Sequence, residues 1–506
     1  MKLINTTDAV GHVLCHDMTQ IIKGEYKDAR FRKGHVVREE DIPVLLSMGK
    51  EHLYVWEMVP GMVHENDAAE RLCALCVNEN MERGGVKEGK IELTAACDGL
   101  FQVDSRRLTA VNSIEDIIIA TRHGNTGVRR GDRLAGARVI PLVIREEKLL
   151  SAEEAAGPAP LLELLPYVKR TAAIVATGSE VKSGLIQDAF TPVVRDKLAE
   201  YGIETLTAVY SGDGVENVAN AISEVRRTGA EIILCTGGMS VDPDDNTPGG
   251  IRASGARIVS YGAPVLPGAM LLVGYYEDGT PVLGLPGCVM YAGATIFDLL
   301  LPRIAAGVEI TREEKLLSAE EAAGPAPLLE LLPYVKRTAA IVATGSEVKS
   351  GLIQDAFTPV VRDKLAEYGI ETLTAVYSGD GVENVANAIS EVRRTGAEII
   401  LCTGGMSVDP DDNTPGGIRA SGARIVSYGA PVLPGAMLLV GYYEDGTPVL
   451  GLPGCVMYAG ATIFDLLLPR IAAGVEITRE EIAAMGEGGL CLGCKPCRWP
   501  HCPFGK

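Results

Sequence analysis

The stretch Thr171-Ala-Ala-Ile-Val-Ala-Thr-Gly-Ser-Glu180 decides the fold class of this chain. Its apolar run, residues 172–176, is typical of a strand that is buried on both faces of a parallel sheet. Strand-like segments follow at residues 204–210 and 231–235, each after a stretch with helical spacing of its apolar residues. Strands that alternate with helices in this way predict an α/β fold with three layers, in which helices cover both faces of a mostly parallel sheet.

The segments between and after these strands complete the unit. Thr191-Pro192 predicts the start of a helix that ends at Gly202, because proline is favoured at the first helical position. Residues 215–225 place their apolar side chains on one helical face. Glu277-Asp278-Gly279-Thr280 predicts a hairpin turn between two strands, and a last helix is predicted over residues 291–304.

The whole unit occurs twice. Residues 145–311 recur unchanged as residues 312–478, a period of 167 residues in a chain of 506, so that a single copy would leave a chain of 339 residues. Ancient repeats diverge, and solenoid repeats are only about 20 to 50 residues long. The identity therefore indicates a very recent duplication or an artefact of sequence assembly, which the intact mass of the native protein would distinguish.

On this basis the chain divides into five parts. The first is a small N-terminal unit with a helix predicted over residues 39–48, and the second is a small α+β or β-rich unit. The third and fourth parts are the two copies of the repeated unit, and the fifth is a short tail. Residues 148–169 are predicted to form a helical connector into the first copy. The parts are residues 1–60, 61–144, 145–311, 312–478 and 479–506.

Composition and charge exclude several classes of function. The formal net charge is −19, with 47 Lys and Arg against 66 Asp and Glu, so neither a nucleic-acid-binding face nor a polybasic membrane-binding stretch is expected. Two uncharged stretches, residues 258–276 and 279–297, contain prolines and glycines that disfavour a membrane-spanning helix. The first residues lack the pattern of a signal peptide, and a cytoplasmic protein is expected.

The twelve cysteines indicate thiols or a metal site, because a disulfide framework is typical of much shorter secreted chains. Four of them form a C-x₂-C-x₂-C-x₄-C pattern in the tail, which suits tetrahedral Zn²⁺ or an iron–sulfur centre. Reactive free thiols and a disordered tail are the alternatives. Cys73 and Cys76 lie among apolar residues and are interpreted as core. The four cysteines of the tail are Cys491, Cys494, Cys497 and Cys502.

Three polar motifs that contain glycine follow the three predicted strands directly. They are residues 177–180, 211–214 and 236–248. Ligands of an open α/β sheet bind beyond the carboxyl ends of its strands. Glycines allow backbone N–H groups to approach a phosphate, and the helix that starts at Thr247-Pro248 adds its positive end. Carboxylates beside a phosphate require a cation, so Mg²⁺ is expected at this edge.

A simpler interpretation of the first two motifs is that glycine and aspartate form turns, as they commonly do. The third motif is longer and denser in such residues, which favours a ligand site. All seven histidines lie outside the repeated unit, so histidine acid–base catalysis at these strand ends is excluded.

Residues 177–307 resemble the molybdopterin-binding domain that molybdopterin molybdenumtransferases and molybdopterin adenylyltransferases share. Thr177-Gly178-Ser179-Glu180 is similar to the transferases' Thr-Gly-Asp-Glu, and Gly237-Gly238-Met239-Ser240-Val241 to their Gly-Gly-x-Ser-Val. Gly284-Leu285-Pro286-Gly287 matches a third motif, and Asp213 stands where the transferases carry an acidic residue. The stretches that resemble the transferases' leading domains are residues 31–41 and 127–144.

By this resemblance the ligand would be molybdopterin or its adenylylated form, and the reaction would be insertion of molybdate, with Mg²⁺ assisting release of the adenylate. The resemblance also implies other cofactor-biosynthesis proteins as partners, and a homo-oligomer. Asp245 and its equivalent Asp412 would bind the Mg²⁺. The carboxylates implied for catalysis are Glu180, Asp213, Asp245, Glu347, Asp380 and Asp412. The residues implied for ligand binding are Thr177, Gly178, Ser179, Gly237, Gly238, Ser240, Thr247, Pro286, Gly287, Thr344, Gly345, Ser346, Gly404, Gly405, Ser407, Thr414, Pro453 and Gly454.

The chain departs from the transferase pattern in several places. Pro267-Gly268-Ala269-Met270 stands where the transferases have a basic Pro-Gly-Lys-Pro, Cys288 replaces an Asn, and no counterpart of their small C-terminal β-barrel domain is found. Asp242 replaces the usual Gly after Ser-Val, and Asp245-x-Thr247-Pro248 is closer to the adenylyltransferases. Two alternatives therefore stay open: a molybdopterin adenylyltransferase that uses ATP, and a non-catalytic molybdopterin-binding carrier or sensor.

Overall fold

The computed structural model describes most of the chain. No helix in the described residues combines the length and the apolar character that crossing a membrane requires. Part of the third motif (residues 241, 243 and 244, and residues 408–411 in the second copy) and most of the second connector (residues 312–330) lie outside the description. The described residues are 2–15, 18–22, 26–32, 34–55, 60–87, 89–240, 242, 245–311, 331–407 and 412–505.

The N-terminal unit packs one short helix against two antiparallel strand pairs. The predicted helix is present as a 3₁₀ turn, Glu39–Asp41, that leads into α1, and the chain leaves α1 through Gly49 at a φ of +74°. Leu14, Leu45 and Leu53 lie in its small core. Strand β1 pairs with β4, and β2 pairs with β3. The elements are β1 (Lys2–Asn5), β2 (Met18–Ile22), β3 (Tyr26–Phe31), α1 (Ile42–Ser47) and β4 (His52–Val55).

The second unit, which we call the lobe (residues 60–87 and 89–166), is α+β. It contains a four-stranded sheet in the order β6-β7-β11-β9, a three-stranded sheet in the order β10-β8-β13, and the pair β12-β5. Helix α2 packs on β7 and β11. The elements are β5 (Met62–His64), α2 (Glu65–Ala74), β6 (Met81–Arg83), β7 (Lys90–Ala95), β8 (Gly99–Val103), α3 (Ser105–Asn112), β9 (Ile117–Thr121), β10 (Thr126–Val128), β11 (Arg133–Val139), β12 (Val143–Arg145), α4 (Glu146–Ala156) and β13 (Leu162–Pro166).

The start of the first repeat folds with the lobe. Leu149 and Ala152 of α4, together with Leu162 and Leu164 of β13, are buried in the core of the lobe. The segment predicted as a helical connector is therefore a helix only in its first half. Its second half is a strand because residues 162–166 pair with β8, a long-range contact that the spacing of apolar residues does not reveal.

Module 1 (residues 171–311) has the three-layer α/β fold that the sequence predicts. Its sheet has the order β15-β14-β16-β19-β18-β17, with the first four strands parallel and β18 antiparallel to both of its neighbours. Apolar clusters fill both faces of the sheet. The elements are β14 (Thr171–Thr177), α5 (Ser179–Lys182), α6 (Phe190–Ala199), β15 (Glu204–Ser211), α7 (Val215–Arg226), β16 (Ile232–Thr236), α8 (Thr247–Ala253), β17 (Arg257–Tyr261), β18 (Leu272–Tyr275), β19 (Pro281–Leu285) and α9 (Ile296–Ala305).

The last helix of module 1 begins later than predicted. The prediction placed its start at residue 291, whereas α9 begins at Ile296 after a separate 3₁₀ turn, Gly287–Met290. Thr295 caps the helix, because its hydroxyl accepts a hydrogen bond from the Phe297 amide (3.2 Å) and its own amide donates to the Asp298 carboxylate (2.7 Å). This reciprocal arrangement satisfies amides that the first helical turn leaves without partners.

Module 2 (residues 338–407 and 412–478) repeats this fold with every residue number raised by 167. Its sheet has the order β21-β20-β22-β25-β24-β23. One further helix, α15, begins the tail (residues 479–505). The elements are β20 (Thr338–Thr344), α10 (Ser346–Lys349), α11 (Phe357–Ala366), β21 (Glu371–Ser378), α12 (Val382–Arg393), β22 (Ile399–Thr403), α13 (Thr414–Ala420), β23 (Arg424–Tyr428), β24 (Leu439–Tyr442), β25 (Pro448–Leu452), α14 (Ile463–Ala472) and α15 (Arg479–Ala484).

The two modules contact different sides of the lobe. In module 1, α9 packs against β8 and β10. In module 2, Ala436 packs against Ile118 and Ile140 of the lobe. The tail joins the second contact, since the Leu490 amide donates to the Thr121 carbonyl at 3.0 Å. The single lobe therefore lies against both modules through different surfaces.

Candidate functional site

The predicted motifs meet at one edge of each sheet. Strand β14 is the common neighbour of β15 and β16, with Thr177 in register with Ser211 and Ala176 in register with Thr236. The loops that follow these three parallel strands therefore emerge side by side. Strand β19 lies beside β16 with Leu285 in register with Thr236, so that Pro286 and Gly287 emerge at the same edge.

A pair of threonines joins the first and third motifs. The Thr177 hydroxyl donates to the Thr236 carbonyl at 2.9 Å and lies 3.0 Å from the Thr247 hydroxyl. The equivalent hydroxyls of Thr344 and Thr414 in module 2 lie 2.9 Å apart. These side chains fix the ends of β14 and of the third loop relative to each other.

Glycines allow this close approach. Gly237 has a φ of +83°, and a Cβ atom there would lie 2.5 Å from the Thr177 carbonyl oxygen. Gly238 has a φ of +53°, and its Cβ would lie 2.9 Å from the Thr247 hydroxyl oxygen. Both the backbone conformation and the space therefore require glycine.

Reciprocal hydrogen bonds join the first and second motifs. The Ser179 amide donates to the Asp213 carboxylate at 3.2 Å, and the Asp213 amide donates to the Ser179 hydroxyl at the same distance. Ser346 and Asp380 form the same pair in module 2, at 3.0 and 3.2 Å. Asp213 and Asp380 thus use their carboxylates to hold the first loop.

The third loop is held by its own aspartate. The Asp245 carboxylate accepts a hydrogen bond from the Ser240 amide at 2.7 Å, and Asp412 accepts one from Ser407 at 2.8 Å. Each of the two loops therefore presents a backbone N–H that donates to a carboxylate. Such amides are the groups with which glycine-rich loops bind a phosphate.

A tyrosine that the sequence analysis did not select also supports the third loop. The Tyr261 hydroxyl donates to the Met239 carbonyl at 3.2 Å, and Tyr428 donates to Met406 at 2.9 Å. Burial raises the pKa of both phenols, and the negative charges of Asp245 and Asp412 raise them further. The polar Ser260-Tyr261 pair at the end of the apolar strand β17 was the available signal.

The carboxylates of one site do not form a ready-made metal centre. Glu180 is exposed on α5, and the carboxylates of Asp213 and Asp245 accept backbone hydrogen bonds. Within the described residues, no three His, Cys, Asp or Glu side chains are arranged to hold a metal ion. This donor set fits a Mg²⁺ ion only if the phosphates of a ligand supply further oxygen ligands, which is how Mg²⁺ is commonly bound.

The tail cysteines are all free thiols in the structure. Cys491 and Cys502 are half-buried against the core of module 2, whereas Cys494 and Cys497 are exposed. The structure does not gather the four into one ligand set. Cys73 and Cys76 are buried in the core of the lobe, and burial raises the pKa of both thiols, in agreement with the predicted core role.

A family model described as a probable molybdopterin binding domain matches residues 173–306 and again residues 340–473, which together are more than half of the chain. The chain belongs to this molybdopterin-binding family. A model described as a domain of unknown function matches residues 3–57, the N-terminal unit. The tandem duplication is thus a duplication of the molybdopterin-binding domain.

Curated relatives share only a short region with the chain. The CinA-like protein of Mycobacterium avium (strain 104) is 34% identical over 80 residues, which are 16% of this chain and 18% of the relative. A CinA-like protein of Mycobacterium tuberculosis (strain H37Rv) is 32% identical over 80 residues, 16% of this chain and 19% of the relative. The chain therefore spans about a fifth of the length of the curated relatives it matches.

Solved structures align with a little over a quarter of the chain each. The molybdopterin biosynthesis enzyme MoaB from Thermus thermophilus is 21% identical, covering 27% of this chain and 97% of that chain with a TM-score of 0.23. The protein CinA with unknown function from Thermoplasma acidophilum is 15% identical, covering 28% of this chain and 99% of that chain, also with a TM-score of 0.23.

Proposed function

We propose that both modules bind molybdopterin or its adenylylated form and that the chain acts in molybdenum cofactor biosynthesis, inserting molybdate with the aid of Mg²⁺. The observation that carries this proposal is the meeting of three loops at one sheet edge, held together by the Thr177–Thr247 pair at 3.0 Å. Membership of the molybdopterin-binding family supports the choice of ligand.

The two amides held by carboxylates suggest how the ligand binds. The Ser179 and Ser240 amides donate to Asp213 and Asp245. A phosphate of the ligand would take over these N–H groups, and the released carboxylates would then face the phosphate. Mg²⁺ supplies the positive charge that such a pairing of anions requires. Glu180, on the first loop, would be the third carboxylate of this surface.

A second function is supported by a specific feature of the third loop. Asp245-x-Thr247-Pro248 is closer to the adenylyltransferase pattern, and Ala269 stands where the transferases have a lysine. An adenylyltransferase would use ATP and Mg²⁺ at the same loops. A non-catalytic carrier or sensor is the third candidate function. The absence of the lysine at the position of Ala269 favours it.

Further parts of the proposal concern the setting of the protein. We propose a cytoplasmic location, a homo-oligomer, contacts with other cofactor-biosynthesis proteins, and Zn²⁺ or an iron–sulfur centre bound by the tail cysteines. The division of the chain at residues 60, 144, 311 and 478 also stays a proposal. Elemental analysis of the purified chain and of a variant with Cys494 and Cys497 replaced by Ser tests the metal of the tail.

One assay separates the three functions. The protein is incubated anaerobically with molybdopterin and ATP–Mg²⁺, or with the adenylylated form and molybdate. Formation of the adenylate identifies an adenylyltransferase, whereas loss of the adenylate with metal uptake identifies the molybdate-inserting enzyme. Tight binding without turnover identifies a carrier.

A double variant tests the site, because both modules must be changed. Asp245→Ala with Asp412→Ala should lower turnover about 100-fold, the effect expected for a lost metal-ligand interaction. Asp245→Asn with Asp412→Asn is the matched control, since Asn retains an oxygen that accepts the Ser240 and Ser407 amides. We expect the Asn variant to bind molybdopterin and its turnover to fall by about the same factor as in the Ala variant, because a neutral amide replaces the charged Mg²⁺ ligand. Unchanged turnover in the Ala variant, with folding verified by circular dichroism, would show that the site is assigned wrongly.

A further inference from the structure

Module 2 carries a surface that the tail covers, which we call the tail face. Its backbone part is Leu433, whose amide donates to the Gly489 carbonyl and whose carbonyl accepts from the Cys491 amide, both at 2.7 Å. Its apolar part is Leu466 of α14, which lies in one cluster with Phe504 of the tail. The tail therefore binds module 2 both through backbone hydrogen bonds and through an apolar contact.

Module 1 contains the same face without a tail. The equivalents of Leu433 and Leu466 are Leu266 and Leu299. The Leu299 side chain is 56% exposed. Within the part of the chain that the structure describes, neither the amide nor the carbonyl of Leu266 forms a backbone hydrogen bond. Module 1 thus exposes the apolar side chain and the backbone groups that bind the tail in module 2.

The face has the same local backbone in both modules. The loop around Leu266 is closed by a hydrogen bond of 2.8 Å from the Ala263 amide to the Ala269 carbonyl, and the equivalent bond around Leu433 is 2.9 Å long. Helices α9 and α14 begin with the same threonine cap, at 3.2 Å in each. Because this geometry does not depend on the tail, module 1 presents a preformed surface, which lowers the cost of binding a peptide.

The tail shows which kind of peptide the face accepts. Leu490 pairs with Leu433 in parallel, so the peptide is extended at this point. A Cβ atom at Gly489 would collide with the Pro431 carbonyl oxygen, so the residue before the paired one must be glycine. Phe504, further along the tail, is only 3% exposed in the apolar cluster of module 2. The matching peptide therefore has a glycine followed by an apolar residue, and an aromatic side chain further on.

The tail of a second copy of this chain is held elsewhere, between its own module 2 and its own lobe. The Leu490 amide donates to the Thr121 carbonyl at 3.0 Å, and the Thr121 amide donates to the Gly486 carbonyl at 2.8 Å. Docking on module 1 of another copy would break these bonds and would expose the tail face of module 2. The contact within one chain also has the advantage of a high effective concentration. A different protein is therefore the better source of the peptide.

We propose that module 1 binds an extended peptide segment of a partner protein through its exposed tail face, as module 2 binds the tail of this chain. The segment pairs its backbone with Leu266, as a strand adds to the edge of a sheet, and places an aromatic side chain against Leu299. The backbone bonds supply affinity, and the glycine and the aromatic side chain supply specificity. This interaction goes beyond the proposed function, because it requires neither molybdopterin nor Mg²⁺.

A synthetic peptide of residues 486–505, with its cysteines kept reduced, is the probe. It is titrated into the full chain in a calorimeter, where the tail of the chain already covers module 2. We expect one peptide to bind per chain, with a dissociation constant of roughly 10–100 μM. The affinity is modest because the peptide gains the contacts of the tail with a module but not those with the lobe.

A leucine variant of the chain tests the apolar part of the face. Leu299→Glu places a charge where the aromatic side chain would pack, and it should weaken binding of the peptide at least about tenfold. Its effect on folding should be small, since the side chain is exposed. Leu150→Glu is the matched control, because Leu150 is 54% exposed on α4 of the lobe. It should bind the peptide as the unchanged chain does.

Two variants of the peptide test the other partner of this contact. Phe504→Ala removes the aromatic ring and should also weaken binding about tenfold, as expected for the loss of a buried aromatic anchor. Lys495→Ala is the control, because Lys495 is exposed in the tail. It should leave binding unchanged.

The outcomes decide both the face and its occupant. Absence of binding by the unchanged chain overturns the proposal, and so does binding that survives Leu299→Glu. Sedimentation of the full chain alone tests the alternative occupant. Self-association that Leu299→Glu abolishes and Leu150→Glu does not would show that a second copy fills the face, which overturns the choice of a partner protein. No arm of the test contains molybdopterin, so its failure leaves the proposed function standing.

Discussion

Module 1 and module 2 have the same sequence but contact different parts of the chain. Inside the modules the geometry is the same: the threonine pair is 3.0 Å apart in one and 2.9 Å in the other. The outer surfaces of the two modules differ in exposure. Leu299 of module 1 is 56% exposed, whereas the equivalent Leu466 of module 2 is 9% exposed. The local sequence therefore determines the loops of the site, and the rest of the chain determines what they face.

The tail and the lobe account for the buried surface of module 2. The Leu433 amide donates to Gly489 and its carbonyl accepts from Cys491, both at 2.7 Å, so that the tail adds a short extended segment to the module. Phe504 lies in the same apolar cluster as Leu466. The equivalent of Leu433 in module 1, Leu266, is 85% exposed.

In the segment that precedes each module, it is module 1 whose residues are more buried. Before module 1, β13 pairs with β8, and Tyr167 is only 7% exposed. Before module 2, the equivalent Tyr334 is 40% exposed and Leu331 is 96% exposed. The chain has one lobe and one tail but two modules. The segment before module 1 packs on the lobe and the tail packs on module 2, so neither module makes both sets of contacts.

The largest expected effect comes from shortening the same leucine in each module. Leu466→Ala should lower the free energy of unfolding by about 2–3 kcal/mol, because it leaves a cavity beneath the tail. Leu299→Ala should change it by less than about 0.5 kcal/mol, since the side chain is exposed. Urea denaturation followed by circular dichroism measures both. Equal losses would mean that the two modules do not differ in their contacts as described.

A smaller effect is expected at the junction of the tail and the lobe. The Glu487 carboxylate accepts a hydrogen bond from the Gly124 amide at 2.9 Å and one from the Ser105 hydroxyl. Glu487→Ala should lower the stability of the chain by about 1 kcal/mol and accelerate proteolysis of the tail. Glu480→Ala is the control, because Glu480 is exposed. A tail that resists the protease equally in both variants would contradict this role of Glu487.

The sequence predicts most of what depends on local pattern. Strand β14 and the loops after β14, β15 and β16 lie where the apolar runs and glycine motifs place them, since parallel strands bring their carboxyl ends to one edge. The predicted start of α9 is wrong although the signal, Thr295 three residues before Asp298, is present in the sequence. In this case a capping pattern lies inside an apolar stretch that itself favours a longer helix.

The remaining errors concern contacts between distant parts of the chain. The prediction of helix at β13 is wrong because its partner, β8, lies about sixty residues earlier in the sequence and leaves no mark on the local pattern. For the same reason the different surroundings of Glu180 and Glu347 could not be predicted, since their neighbours in sequence are identical. Only the folded chain brings Gly49 against Glu347 and not against Glu180.

The smallest expected effect is a difference in the ionisation of one tyrosine pair. Burial raises the pKa of both phenols, and the shift is larger for the half-buried Tyr428 than for the more exposed Tyr261. Ionised tyrosines can be followed by their absorbance in a titration at alkaline pH. Tyr261→Phe should remove an absorbance change that occurs at lower pH than the change removed by Tyr428→Phe.

The sign of the associated stability change follows from linkage. An unfolded tyrosine ionises near pH 10, below its folded pKa, so each phenol contributes its full stabilisation below about pH 10 and loses it as the pH rises further. Tyr428→Phe should reduce this alkaline loss more than Tyr261→Phe does. Identical curves for the two variants would mean that the lobe does not change the environment of Tyr428, and the two modules would then not differ at the third loop.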